Sequence, residues 1–404
     1  MKFFYTISIC LSVTLAAVAD VTGVTFRQDP LTRHVRIDYT LDAPAIITVD
    51  FLTNGVSIGA ENFRGASGDV NRFVKTPSGS IEWQPAATNA WPGYKIADGS
   101  FQAVVTAWAT NAPPDYMAVD LNAASNVFFY VSEAALPYHV TNDIWKTEWL
   151  LMKRIHAANV IWRMGSPITE LNRTAANETP HLVRLTEDYY IGVYMVTQRQ
   201  YYLFSGGLRP STTFMGGDQR CPVNTVKFSA MRGSTYSWPA DGHKVTADSA
   251  FGKLRTHSGI DSFDMPTEAQ WEYACRAGTG SRLYDGTDSS DTLTDLGWYG
   301  VNSAVNGTTS MHPVGLKQPN GWGLYDLYGN SFDLCLDFNE PYVITDLVTV
   351  DPVGATSGTF RVSRGGSCDH AQSYLRSAAR NKANPEGSSY YQALRLACAA
   401  RIGF

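Results

Sequence analysis

The sequence contains little charge and little that could span a membrane. Charged residues make up 17% of the 404 residues, against about a quarter in an average soluble domain. The formal net charge is only −5, so the chain offers no basic surface to nucleic acid or to an anionic membrane. Beyond the N-terminal segment, no apolar run is long enough to cross a bilayer. Internal repeats and low-complexity tracts are also missing, which excludes a fibrous or disordered protein.

Cysteine is scarce and is not spaced for zinc. The chain has six cysteines: Cys10, Cys221, Cys275, Cys335, Cys368 and Cys398. They form neither a CxxC motif nor a Cys/His cluster at zinc-ligand spacing, which argues against a structural zinc site. Without Cys10, which lies in the N-terminal apolar run, five remain. At most two disulfides can then form, and at least one thiol stays outside them.

The N-terminus has the features of a secretory signal. Lys2 supplies a positive charge, and the run from Phe3 to Val18 is almost entirely apolar. Ala17-Val18-Ala19 then provides a small-x-small cleavage site before Asp20. We therefore predict a signal peptide over residues 1–19. A single membrane anchor is the alternative, but the run is short for one. The prediction places the protein outside the cell, in a periplasm or at the cell surface, with no membrane span after cleavage.

Residues 20–135 are predicted to form a small β-sandwich of immunoglobulin-like type. Short β-branched and aromatic runs alternate with turn signals, which is typical of such folds. The predicted strands are Thr22 to Phe26, Val35 to Tyr39, Ile46 to Phe51 and Phe101 to Trp108. No catalytic constellation lies within them, so a spacer or interaction module is favoured. Residues 136–158 are predicted to be a connector.

The amino-acid composition changes over residues 159–404, where glycine, tryptophan, tyrosine and asparagine are frequent. Only two segments predict helices, Thr267 to Arg276 and the region around Val196 to Phe204. The remainder indicates short strands and long ordered loops, so the fold class is α+β with little regular secondary structure. Such loops need side-chain hydrogen bonds or ions to satisfy their backbone groups.

Seven segments, in order and spacing, resemble one family. They are Arg163-Met164-Gly165-Ser166, the two parts Asn177 to His181 and Tyr189 to Thr197, Cys221 to Val226, Met265 to Arg276, Pro319 to Asn330, Arg364-Gly365-Gly366-Ser367, and Leu394-Arg395-Leu396. This pattern is similar to the formylglycine-generating enzymes, or sulfatase-modifying factors. The resemblance implies a C-type-lectin-like fold over residues 159–404. It also implies a parent reaction, the oxidation of a sulfatase cysteine to formylglycine by copper that two cysteines hold. Non-catalytic binders and sulfoxide synthases share the fold, so the fold does not decide the activity.

The copper cysteines of the family have no counterpart here. The resemblance places them at the third and eighth residues after Ser367, which are His370 and Leu375. Cys368 and His370 are two residues apart and would share a face on a strand. A copper site from this pair is therefore conceivable, although a buried cysteine beside a surface histidine is favoured. Ser367 matches the serine of the enzymes' oxygen pocket, but non-catalytic relatives carry it too. Copper is disfavoured as a cofactor.

A calcium site is better supported by the resemblance. The matching family loop binds calcium through two acidic or amide side chains and two backbone carbonyls. By position these are the side chains of Asp326 and Asp333 and the carbonyls of Gly329 and Ser331. Calcium prefers such hard oxygen ligands, so calcium is the predicted cofactor. A solvated acidic turn is the alternative.

Three further predictions concern cysteines, carboxylates and aromatics. The family's disulfides often tie its last strand to an earlier segment, so the resemblance favours a Cys221–Cys398 pair. Cys275 and Cys335 would be thiols or pair with each other. Glu268 and Glu272 are predicted to be structural. A binding cleft and a loop-rich core explain equally well the aromatic set Trp298, Tyr299, Trp322, Tyr325, Tyr328, Tyr374, Tyr390 and Tyr391.

The leading hypothesis is an exported, non-catalytic or altered relative that binds a protein, peptide or glycan. The alternatives are a formylglycine-generating oxidase, against which the missing pair argues, and another metal-dependent oxidoreductase of the superfamily. The low charge predicts no nucleic-acid partner.

Overall fold

The structure is a computed structural model that describes residues 19–85, 101–123, 127–208, 218–344, 346–387 and 389–403. The predicted signal peptide lies outside these ranges except for Ala19, so it stays a prediction. Within the described ranges, no helix is both long and apolar enough to cross a membrane.

Two small sheets form the N-terminal unit. The first sheet joins, in order, Val21–Gln28, Val35–Leu41, Ser78–Trp83 and Ser67–Gly68. The second joins Val56–Ser57, Ala45–Thr53 and Arg72–Val74, with Phe101–Trp108 also pairing with Ala45–Thr53. Buried and exposed residues alternate along Val35–Leu41, as its polar and apolar alternation predicts. Both sheets contribute to one apolar core that includes Ile37, Phe51 and Trp83. The predicted β-rich unit is therefore present, and its immunoglobulin-like type stays a prediction.

A five-stranded sheet departs from the predicted domain boundaries. Its strands, in spatial order, are Val127–Tyr130, Tyr116–Asp120, Trp149–Ile155, Tyr189–Gly192 and Ala397–Ala399. The strand from the predicted connector thus lies at the centre of this sheet. The preceding hairpin, predicted to be part of the sandwich, pairs with it. The charges on the central strand are paired, since Lys153 Nζ lies 2.9 Å from Asp115 and Arg154 lies 2.8 Å from Asp188.

Both predicted helices are present, and their ends follow from their caps. The helices of the described residues are Ile144–Thr147, Gln198–Ser205, Phe228–Arg232, Ala250–Ser258, Glu268–Arg276 and Leu293–Leu296. Thr197 and Thr267 each cap a helix through a reciprocal capping box with the glutamine three residues later. The longer unpredicted helix, Ala250–Ser258, begins after the capping side chain of Ser249. Gly252, together with Phe251, Thr256 and His257 of weaker helix propensity, interrupts its helix formers and weakens its sequence signal.

The rest of the C-terminal region consists of short strands between long loops. Three strands, Ile161–Met164, His181–Arg184 and Val348–Val350, form one sheet. Another joins Arg380–Ala383, Arg361–Arg364, Phe332–Phe338 and Gln392–Ala393. Two-stranded pairs are Gly297–Trp298 with Tyr328–Gly329, and Ala304–Val305 with Thr308–Thr309. The described chain is mostly β with few helices, which agrees with the predicted scarcity of regular structure.

Buried ion pairs connect these loops to the helix Glu268–Arg276. Arg364 is fully buried and contacts Glu268 at 2.9 Å and Glu272 at 2.6 Å. Glu272 also pairs with Arg276 one turn later, at 2.8 Å. The structural role predicted for both glutamates is therefore confirmed. Buried charges of this kind are tolerated only when they are paired and hydrogen-bonded.

Candidate functional site

The segment after Ser367 lacks a pair of metal-binding side chains at the family's copper positions. The His370 Nδ1 atom lies 2.6 Å from the Ser367 hydroxyl. The His370 ring meets the rings of Phe332, Tyr374 and Tyr391 at centroid distances of 4.8, 5.0 and 5.6 Å. This burial lowers the pKa of His370, so the imidazole is neutral near pH 7.

Leu375, at the second copper position, is a core residue. It is fully buried in an apolar cluster. Gly366 has a positive φ of 83°, and a Cβ atom there would lie 2.7 Å from the Leu375 side chain. The loop therefore packs closely on this leucine. A leucine side chain has no donor atom, so this position offers a metal nothing.

Cys368 and His370 lie on a turn, which differs from the strand geometry that would place them on one face. The His370 N–H donates to the Ser367 carbonyl at 3.1 Å, which closes the turn. Cys368 points into the protein and is fully buried, whereas His370 is half-buried. The neighbours of Cys368 in its apolar cluster are Cys221 and Met311. The two residues thus face different surroundings.

The predicted calcium loop brings two buried carboxylates together. Asp326 accepts the Gly315 N–H at 2.6 Å through one oxygen. Asp333 accepts from Trp271 at 2.9 Å and from Arg395 at 2.8 Å, again through one oxygen. Among the described residues, the second oxygen of each carboxylate has no hydrogen-bond partner. Buried oxygens without partners are costly unless a cation or water satisfies them.

Electrostatics at this loop also suit a cation. Burial is the main cause that raises the pKa of Asp326 to about 6, and the Asp333 charge adds to it. Gly329 has a φ of 72°, and a Cβ atom there would lie 2.0 Å from the Trp298 carbonyl oxygen. Only glycine fits this position. The described residues contain no group of three His, Cys, Asp or Glu side chains suited to a metal. A cation here would therefore need backbone carbonyls beside the two carboxylates, as predicted.

The structure contradicts the predicted Cys221–Cys398 disulfide. All five cysteines beyond Cys10 are buried thiols. Cys398 lies on the strand Ala397–Ala399, opposite Tyr190, in the largest apolar core. Cys221 belongs to the separate cluster of Met311 and Cys368. The displacement of Cys398 from the family's usual position explains the error, because it places this thiol in a different core.

The aromatic set does not line one cleft. Tyr328 stacks on Tyr284 in the core, with ring centroids 4.4 Å apart. Trp298 stacks on His312 at 3.7 Å. Tyr374 and Tyr391 surround His370 instead. Three of the eight rings, Tyr299, Tyr325 and Tyr328, are buried in the loop-rich interior.

Sequence reasoning missed one buried acid, Asp337. It helps to line a cavity of about 180 Å³, together with Glu268, Tyr342 and Arg380. Burial is the first cause, and the Glu268 charge the second, that raises the pKa of Asp337 to about 7. The only sequence signal is a second aspartate four residues after Asp333, on an otherwise apolar strand. The cavity lining includes none of residues 326–333 or 367–370.

The sulfatase-modifying factor enzyme 1-like domain matches residues 157–400, which is more than half of the chain. The chain belongs to this family. The resemblance that the seven sequence segments indicate is therefore confirmed. The family assignment fixes the relationship of the C-terminal region and leaves its activity open, because its members differ in the residues that perform chemistry.

The chain is similar to proteins that carry different names. A formylglycine-generating enzyme of Streptomyces coelicolor is 41% identical over 138 residues, which is 31% of this chain and 43% of that protein. A protein named chaperone protein LppX from Paenibacillus barcinonensis is 25% identical over 206 residues, or 44% of this chain and 69% of that protein. The match spans less than half the length of the formylglycine-generating enzymes.

One solved structure with similarity is Treponema denticola variable protein 1. It is 27% identical, with a TM-score of 0.49, and the match covers 65% of this chain and 98% of that protein.

Proposed function

We propose that this protein is an exported member of the family that does not generate formylglycine and acts as a binding module. The observation that carries the proposal is the fully buried Leu375 at the second copper position. Thiolates are the soft ligands that hold Cu(I), and a leucine supplies no ligand. Because Leu375 is packed in the core, a small backbone movement would not bring another donor to its place.

The first copper position supports the same proposal. His370 uses Nδ1 for its contact with Ser367. One imidazole nitrogen then remains, against the two thiolates that the parent chemistry uses. The similarity to a protein named chaperone protein LppX, at 25% identity, supports a role other than thiol oxidation for this chain.

The proposed module binds calcium through Asp326, Asp333 and the carbonyls of Gly329 and Ser331. Support comes from the two partnerless carboxylate oxygens and from the burial of both side chains. Calcium would neutralise these charges and order the loop. Its role would be structural, and the proposed ligand of the module is a protein, peptide or glycan. The predicted signal peptide supports export, and the low net charge argues against nucleic acid.

A peptide assay tests the proposal. The purified protein is loaded with copper, incubated in air with a peptide that carries a sulfatase cysteine motif, and analysed by mass spectrometry. Cys368→Ser and Leu375→Ala are assayed in parallel. We expect no loss of thiol mass from the peptide with any of the three proteins. Copper-dependent turnover that disappears in Cys368→Ser would instead establish an oxidase with an altered metal site.

A further inference from the structure

Three sulfur-containing side chains form a buried cluster that includes Cys368 but neither His370 nor any of the predicted calcium ligands. Cys221, Met311 and Cys368 pack together, and Tyr391 packs against them. Cys221 and Cys368 are fully buried, and Met311 is 3% exposed. The Cys221 Sγ atom lies 3.8 Å from the Met311 carbonyl oxygen. The Cys368 thiol also contributes to the raised pKa of Cys221, after burial as the main cause. Three separate segments of the chain thus bring sulfur-containing side chains into one cluster, in which the Met311 Sδ atom accepts from the Asn224 side chain at 3.9 Å.

Hydrogen bonds of the Asn330 backbone and side chain hold two of these segments relative to each other. The Cys368 N–H donates to the Asn330 carbonyl at 3.0 Å. The Asn330 side chain accepts the His312 N–H and donates to the His312 carbonyl, each at 2.9 Å. Asn330, which is fully buried, therefore fixes the residue next to Met311 and the turn of Cys368.

The third segment is held from the helix Gln198–Ser205. The Gln198 N–H donates to the Cys221 carbonyl at 3.0 Å, and the Cys221 N–H donates to the Asp218 carbonyl at 3.2 Å. Positions that are fixed in this way need little rearrangement to act as ligands.

We propose that Cys221, Cys368 and Met311 together bind one soft monovalent cation, Cu(I) or Ag(I). Thiolates and a thioether are soft donors, which favour these ions over calcium or magnesium. The cluster is distinct from the positions of the family's copper cysteines, which are His370 and Leu375 here. Binding is an exchange: the cation replaces the protons of the two thiols, the protons pass to solvent, and no electron is transferred.

The surroundings of the cluster define its chemistry further. Both thiols are fully buried among apolar neighbours, which favours the neutral form until a cation displaces their protons. The partly buried Tyr391 covers the cluster, and its hydroxyl group interacts with Asp369. The proposed ligands are not the residues at the family's copper positions, His370 and Leu375. The inference therefore stands whether or not the proposed function is right.

Metal competition tests the inference. The reduced, full-length exported protein is titrated anaerobically with Cu(I) in the presence of a colorimetric Cu(I) chelator, and with Ag(I) in a thermal-shift assay. We expect one tightly bound Cu(I) per chain and a rise in melting temperature with Ag(I). Added calcium should leave the affinity for Cu(I) in the chelator competition unchanged, because calcium prefers oxygen ligands.

Matched variants assign the ligands. Substitution of a residue that only supports a metal ligand costs about 10–100-fold in metal affinity. Loss of a ligand itself should cost more, so Cys221→Ser and Cys368→Ser should each weaken Cu(I) binding by at least about 100-fold. Met311→Leu conserves volume and should keep the fold, with about 10-fold weaker binding because a weaker thioether ligand is lost. Cys275→Ser, at a buried thiol in another core, is the control and should bind as the wild type does.

Two results would overturn the inference. One is Cu(I) binding that survives in Met311→Leu and Cys368→Ser with unchanged affinity, or that is lost equally in Cys275→Ser. The other is a Cys221–Cys368 disulfide in freshly isolated protein, found by non-reducing peptide mapping. In that case the two sulfurs would be consumed by each other and no site would exist.

Discussion

At the scale of single residues, buried charges determine much of the behaviour of this protein. Glu272 is fully buried and accepts hydrogen bonds from Arg276, Arg364 and the Gly165 N–H. The sequence could indicate a structural role for this glutamate from its place on a capped helix. It could not indicate Arg364 as a partner, because 92 residues separate the two along the chain.

Removing the Glu272 charge should strongly destabilise the protein. Glu272→Gln leaves the buried Arg276 without its carboxylate and leaves Arg364 with Glu268 alone, and breaking a buried pair in this way costs about 3–5 kcal/mol. The control is Glu148→Gln, whose pair with Arg199 is partly exposed and should contribute at most about 1 kcal/mol. Denaturant unfolding of both variants measures the difference. Equal effects of the two substitutions would contradict this account of the core.

Asp337 should make stability depend on pH. Its pKa in the folded protein is about 7, above the value of about 4 in an unfolded chain. A raised pKa favours the folded state while the group is protonated. This contribution is complete below about pH 4 and is lost as the pH rises toward about 7. The contribution of Asp337 to the free energy of unfolding is at most about 4 kcal/mol, since each unit of pKa difference corresponds to about 1.4 kcal/mol.

The variant Asp337→Asn isolates this effect. The asparagine stays neutral at every pH, whereas Asp337 of the wild type loses its proton between about pH 5 and pH 8. The melting temperature of the variant should therefore fall less than that of the wild type over this range. The comparison is made in constant excess calcium, so that the calcium loop contributes equally to both proteins. Parallel pH curves for the two proteins would show that Asp337 does not titrate in this range.

At the scale of elements, local signals predicted what local physics controls. The helices Gln198–Ser205 and Glu268–Arg276 could be predicted because threonine caps and helix formers lie in adjacent positions. The strand Trp149–Ile155 lies within the predicted connector, and its charges pair with residues far away in sequence, Asp115 and Asp188. The sulfur cluster and the cavity around Asp337 also depend on distant segments. Spacing along one chain therefore gave no signal for them.

The calcium loop, residues 326–333, provides a prediction at this scale. Excess chelator should lower the melting temperature of the wild type by roughly 5–10 °C, as expected when a ligand at about 100 times its Kd is removed from a domain of this size. In Asp326→Ala the chelator should have no effect, because one of the two carboxylates is gone. The exposed Asp261→Ala is the control and should respond as the wild type does. A chelator response that persists in Asp326→Ala would place the calcium elsewhere.

At the scale of the whole molecule, the five-stranded sheet defines which part of the chain folds as a unit. The strands Tyr116–Asp120 and Trp149–Ile155 belong to the same sheet as Ala397–Ala399, near the C-terminal end of the described residues. The family match begins at residue 157 and therefore omits the strand at the centre of this sheet. A boundary drawn from sequence similarity alone would cut through the fold.

Truncation tests this organisation. A chain that starts at residue 110 retains the complete sheet and should be soluble with one cooperative melting transition. A chain that starts at residue 159 loses three of the five strands and exposes the apolar face of Tyr189–Gly192, so it should aggregate. Size-exclusion chromatography and thermal melting distinguish the two. Equal solubility and equal melting temperatures would mean that residues 110–158 are dispensable.

We propose that this family member does not generate formylglycine, because His370 and Leu375 stand at the copper positions. The most direct measurement is the mass of a sulfatase cysteine peptide after aerobic incubation with the copper-loaded wild-type protein, alongside an active formylglycine-generating enzyme as the positive control. We predict an unchanged peptide mass with this protein and complete conversion with the control. Copper-dependent conversion of the peptide by the wild type, lost in Cys368→Ser, would contradict the account.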